Sequence, residues 1–425
     1  MKISTKLLLL CLALVLSLTT VMTSLAMANE ELDQVRQIYL LSGLSNGVYD
    51  IRVNDPEVPS GGFDELLRDK VETALDDEYI QDYIGEWNLV WGPVVDNTPL
   101  QTLSKTPKEL PYASNSMYVA QKDNQYVVSI AASNGKSLFD SMVEDSFVGR
   151  QIDWEYADEF PEELDPKIAG GTLIGLNILL NMNSPGQGKL LDFLGEAVQG
   201  PNDEVPEIIF TGISLGGALS PVLALAALDS QDTWAHGNPF NIYVEPIAGQ
   251  TPGNEDFSTY YDISLGNNTT RIWNSIDIIP HLWNEEMLDE IPSLYEPEIG
   301  ATGLIQTLVE GAKSRARGGN YTQLMPDTLP LEGTVMQPIP SICGEKSTSI
   351  NPSPLTETKA FMEQADYQHI LAYAELLDVV APYCYLVDIG SLPDMETTSI
   401  KLSTAPISNG SVASINTVNQ ETGIE

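Results

Sequence analysis

The hydrophobic pattern changes its period between residues 207 and 228. Glu207-Ile208-Ile209-Phe210-Thr211 is a short apolar run flanked by turn residues, the pattern of a parallel strand buried on both faces. From Leu215 to Leu228 the chain is apolar over the length of a helix, with Pro221 predicting a kink. Other strand-like runs are Met117 to Ala120 and Tyr126 to Ala131, around the turn Lys122-Asp123-Asn124. Asn241 to Glu245 and Thr270 to Asn274 follow later. Gly170 to Leu180 predicts a helix, and Leu190, Leu191, Leu194 and Ala197 recur at helical spacing. Leu304 to Ala316 predicts an amphipathic helix with basic residues near its end, and Phe361 to Val380 a further helical stretch. Residues 29–115 read as mixed helix and loop, and Ser347 to Thr358 as loop. Strands alternating with helices predict an α/β fold, a mostly parallel central sheet flanked by helices.

The two ends read differently. Lys2 and Lys6 precede an apolar run from Leu7 to Leu18, and Ala26-Met27-Ala28 closes it with small residues. This is the layout of a secretory signal peptide over residues 1–28, too short in its apolar part for a membrane span. It predicts a secreted or periplasmic protein with no transmembrane span after cleavage. Residues 29–392 then form a single domain, and 393–425, rich in Ser, Thr and Asn, a disordered tail.

Cleavage removes two lysines and no acids, moving the formal charge from −40 to −42. Such a chain repels phosphates, so a nucleic-acid partner is excluded. Cys11 lies in the signal segment, leaving Cys343 and Cys384. In an exported protein two cysteines suggest a disulfide, two buried thiols being the other reading. No Cys/His cluster has zinc-ligand spacing, so a metal site of that kind is not expected, and the serine chemistry read below requires no metal or organic cofactor. Oligomeric state is not legible.

Between the strand at 207–211 and the long helix lies Gly212-Ile213-Ser214-Leu215-Gly216, a G-x-S-x-G pentapeptide. Strand, tight turn and helix in succession are what a nucleophile elbow requires. The turn strains the serine, flanking glycines remove clashes, and the helix start aims N–H groups at an oxyanion. A serine needs a base and the base an orienting acid, which in this fold follow in the order Ser, Asp or Glu, His. Asp277 follows a strand and opens a loop, and is the acid candidate. His236 has no strand-end acid between it and Ser214. His281 is too near Asp277 to be oriented by it and still reach the serine. His369 is left as the base, at or just before the start of a late helix. The competing readings are a turn aspartate and a packing or capping histidine.

These residues resemble the class 3, or fungal lipase-like, family of α/β hydrolases. Thr211 to Leu219 reads TGISLGGAL against the family's T-G-H-S-L-G-G-A-L type of elbow. Gly249-Gln250-Thr251-Pro252-Gly253-Asn254 with Phe257 is similar to its G-x-P-x-x-G-N stretch. Asn274, Asp277, Ile279 and Pro280 match its acid loop, and His369 with Tyr373 its closing histidine. The resemblance implies an α/β-hydrolase fold with an inserted cap or lid region, and a secreted lipase or esterase acting on a lipid or ester substrate, at an interface. It implies a Ser214, Asp277, His369 triad, with oxyanion N–H groups from Leu215 and from Ser133, in the run Val127 to Asn134. That run lacks the family's arginine and glycine, and Ile213 stands where the family has histidine. A phospholipase, a short-chain esterase, or a catalytically inactive binding protein on the same scaffold are the alternatives. Phe139 to Phe147 falls at the family's lid, and the long span from Asp277 to His369 implies a cap tied down by a Cys343–Cys384 bridge.

Overall fold

A computed structural model describes residues 31–49, 51–97, 112–134, 147–157, 160, 161, 163–200, 204–344 and 354–393. The signal segment, the lid stretch up to Ser146 and the tail from 394 lie outside the described residues.

The central sheet has the strand order Asn88–Val95, Ser116–Lys122, Gln125–Ile130, Glu207–Ile213, Asn241–Ile247. β1 (Asn88–Val95), β2 (Ser116–Lys122) and β3 (Gln125–Ile130) pair antiparallel. The short ladders β4 (Gln151–Asp153) with β5 (Lys167–Ala169), and β6 (Asn183–Ser184) with β7 (Gly188–Lys189), come next in the chain. β8 (Glu207–Ile213) and β9 (Asn241–Ile247) then continue the sheet in parallel with β3. Bridges at Val244–Thr269, Ile247–Ile272 and Asn274–Leu331 extend it further in the same sense. Thr270 to Asn274, expected as a strand, is thus held by isolated bridges. This is an α/β-hydrolase sheet.

Alternation along the strands divides the core in two. Val127 and Ile209 pack with the helix at residues 31–44, the helix Phe63–Leu75 and Tyr373. Val128, Ile208 and Phe210 pack with the helices Gly170–Asn181 and Leu215–Asp229 on the opposite face. Both faces are covered, which is why β8 is continuously apolar. From Leu215 to Ala227 the second helix is buried throughout, each leucine contributing roughly 1.5–3 kcal/mol. It runs unbroken through Pro221.

Three further features differ from the sequence reading. β1 falls in a stretch taken as helix and loop, because Gly92-Pro93 breaks its pattern. Proline is tolerated there, on the sheet's edge strand and within a register shift between Trp91 and Val94. The helix Pro354–Ile370 begins inside the stretch taken as loop, with Pro354 at its first position. The late helical run is split into Pro354–Ile370, Ala372–Leu376 and Val380–Asp388, so His369 sits in a last turn and not at a start.

The insertion after the acid loop builds a third apolar cluster, with Ile278, Leu282, Tyr295, Ile305 and Phe361 among its members. Cys343, late in this insertion, forms a disulfide with Cys384 in the helix Val380–Asp388, and both cysteines pack against the first cluster.

Candidate active site

Ser214 is the hinge between β8 and the helix Leu215–Asp229, with φ 59° and ψ −118°. Positive φ is costly for a residue with a Cβ, so the surroundings must impose it. Ser214 N–H donates to Ile247 O at 3.0 Å, and the first helical bond is Ala218 N to Ser214 O, also 3.0 Å. Close packing completes the constraint. A Cβ on Gly216 would lie 2.3 Å from Ile130 O, and one on Gly217 2.2 Å from Ile247 O. Only glycine lets the helix start sit between the ends of β3 and β9.

His369 Nε2 lies 2.8 Å from Ser214 Oγ, and its Nδ1 lies 2.8 Å from Asp277 Oδ2. Serine is half-buried, the imidazole buried, the carboxylate fully so. Contact with Asp277 requires the proton on Nδ1, leaving Nε2 to accept the serine proton. The three side chains form one relay from core to surface.

Asp277 is held from several sides. Ile279 N–H donates to Oδ1 at 3.0 Å, and Tyr373 Oη donates to Oδ2 at 2.9 Å. Tyr373 Oη in turn accepts from Asn274 N–H at 3.0 Å. Burial, then the Asp277 charge, push the Tyr373 hydroxyl well above its ordinary range, so it stays a neutral donor. Asn274 Nδ2 donates to Gln368 O and Oε1 at 3.1 and 2.7 Å, tying the Asp277 loop to the turn that carries His369. The sequence marked Asn274 and Tyr373 as landmarks without a task. Gln368 carried no signal.

The other histidines stand apart. His236 is exposed. His281 is buried, with Nδ1 2.7 Å from Asp277 O and Nε2 3.4 Å from Glu290, and does not join the relay. Burial lowers it, so the neutral ring donates Nδ1–H to the acid loop's backbone. Ile213 is half-buried against the core on the Tyr373 side. It packs beside the elbow and takes no part in the relay.

Leu215 is the helix's first residue, so its N–H has no partner within the helix. The parallel register Ile130–Gly212 brings the exit of β3 alongside the elbow. Ser133, half-buried, is on that exit. Among the described residues no group of His, Cys, Asp and Glu could hold a metal ion, and no helix is long and apolar enough to cross a membrane.

A family described as Lipase (class 3) matches residues 160–287, a span that includes Ser214 and Asp277 but ends before His369. The fold is similar to a crystal structure of M37 lipase at 29% identity and a TM-score of 0.65, covering 81% of this chain and 92% of that one. Lipase II from Rhizopus niveus is more distant, at 16% identity and a TM-score of 0.39, over 60% of this chain and 76% of that one. None of the curated proteins compared matches the chain.

Proposed function

We propose that this chain, which belongs to the class 3 lipase family, is an exported serine hydrolase cleaving carboxylic esters of lipids through an acyl-enzyme. Ser214 Oγ attacks the acyl carbonyl carbon while His369 Nε2 takes its proton. The carbonyl oxygen becomes an oxyanion beside the N–H groups of Leu215 and Ser133. Collapse expels the alcohol, which receives the proton from His369, and leaves an ester on Ser214. Water, deprotonated by His369, attacks that ester, and as the acyl–oxygen bond breaks His369 returns the proton to Ser214 Oγ, releasing the carboxylic acid and free Ser214. Asp277 holds the imidazole in the required tautomer and stabilises its charged form. This chemistry calls for no metal or organic cofactor.

The observation that carries the reading is the relay Ser214–His369–Asp277, with both contacts at 2.8 Å, on a strained turn between strand and helix. Export is supported by the signal-like N-terminus and by the Cys343–Cys384 disulfide, of a kind that persists in oxidising compartments. The formal charge of −40 favours neutral glycerides over anionic lipids as substrate. Side-by-side rates on tributyrin, a long-chain triglyceride, zwitterionic phosphatidylcholine and anionic phosphatidylglycerol test the substrate class, the glycerides being faster than phosphatidylglycerol. A Ser214→Ala protein that cleaved a p-nitrophenyl ester at the wild-type rate would refute the mechanism.

A further inference from the structure

The exit of β3 departs from the family pattern that the sequence resembles, with Ala131-Ala132 in place of arginine and glycine. Strand pairing ends at Ile130, yet side chains grip the residues beyond it. Ala132 N–H donates to Asn46 Oδ1 at 2.8 Å, and Asn134 Nδ2 donates to Ala113 O at 2.7 Å. Ser133 lies between these two anchored residues.

Asn46 is 8% exposed and comes from the far end of the chain, in the turn after the helix at residues 31–44. Its amide orientation is fixed by its partners. Nδ2 donates to Gly43 O at 3.0 Å and Ser42 O at 3.5 Å, so Oδ1 must face the Ala132 N–H. That turn is itself pinned to the sheet. Tyr118 Oη donates to Leu41 O and Ser116 Oγ to Ser45 O, each at 2.6 Å. Asn46 is thus the tip of a rigid segment that reaches across the sheet face to the loop beside the elbow.

We infer that Asn46 is a positioning residue for the hydrolytic reaction: it holds the Ala132 peptide, and with it the backbone of the β3 exit, beside the elbow where the oxyanion forms opposite Leu215. This rests on the hydrolase reading above. Oxyanion donors act only when fixed near their final geometry, and a misplacement of about 1 Å costs up to about 100-fold in rate. Asn46→Leu removes the acceptor and frees the loop, without touching substrate or the relay.

The test measures kcat and KM on p-nitrophenyl butyrate, and inhibition by a phenylboronic acid, with the full-length protein processed by its host. Active sites are counted with a fluorophosphonate and folding is followed by circular dichroism. A boronic acid forms a tetrahedral adduct on the serine and so reports on the oxyanion site. Asn46→Leu should lower kcat by about 10- to 100-fold per active site, with KM within about twofold of wild type. The boronic acid should weaken in parallel with kcat. Wild-type kcat in the folded variant, or a loss of kcat with boronic acid affinity unchanged, overturns the inference. Asn46→Ala is judged by the same criteria should the leucine variant not fold. Unchanged kcat at Asn46 with turnover still dependent on Ser214 removes only the positioning role. Turnover independent of Ser214 removes the hydrolase reading itself.

Discussion

Tyr373 Oη donates at 2.9 Å to Oδ2 of Asp277, the same oxygen that faces His369 Nδ1. Tyr373 is fully buried, and its oxygen also receives the Asn274 N–H. Tyr373→Phe therefore leaves a buried N–H without its acceptor and a buried carboxylate with one donor fewer. We expect a stability loss of about 1–3 kcal/mol in urea unfolding and a fall in kcat of about tenfold. Wild-type kcat in that variant would show that the tyrosine does not help hold the acid.

Gly216 should not accept a side chain. Its Cβ would meet Ile130 O at 2.3 Å and Ala131 O at 2.8 Å, both backbone atoms that cannot swing aside. Gly216→Ala should cost about 3 kcal/mol and push the β3 exit away from the elbow, lowering activity in whatever protein remains folded. Thermal unfolding with kcat measured per active site checks both effects.

Stability should fall as pH rises through mild acidity, because of Glu245. Burial raises this carboxyl from about 4.5 to about 7, against a hydrogen bond from Gln34 at 2.5 Å that lowers it. The nearby Glu31 charge adds to the rise. The folded protein thus keeps a proton that the unfolded chain releases between about pH 4.5 and 7. Up to about 3 kcal/mol is lost across that window. Glu245→Gln cannot titrate, so the difference in unfolding free energy between it and wild type should change with this slope. A difference independent of pH from 4 to 8 would contradict the burial argument.

The Cys343–Cys384 disulfide closes a loop spanning 41 positions that contains His369 and Tyr373. Reduction, or Cys384→Ser, should destabilise the protein by about 4 kcal/mol on the chain-entropy estimate. Because the bridge lies outside the relay, Ser214 should still be labelled by a fluorophosphonate below the lowered melting temperature.

The parts of this molecule that are local in sequence were the legible ones. The run at 207–211 became β8, and the apolar stretch at 215–228 became the helix behind the elbow, because both are buried all round. β1 was hidden because Gly92-Pro93 breaks its alternation, which only an edge position permits. His369 was expected at a helix start and lies in a last turn, because the chain breaks at Leu371 within an otherwise continuous helical pattern. Asn46 and Gln368 were invisible for another reason. Each hydrogen-bonds across a distance in sequence that periodicity does not report, 86 positions from Asn46 to Ala132 and 94 from Gln368 to Asn274.

The most direct measurement of the central claim is covalent labelling of the intact protein by a fluorophosphonate, followed by peptide mass spectrometry. One adduct per chain on Ser214 is expected, lost in Ser214→Ala and slowed at least about 100-fold in His369→Ala. Absence of labelling in an esterase-active preparation, or labelling of another residue with Ser214 unmodified, would contradict the account.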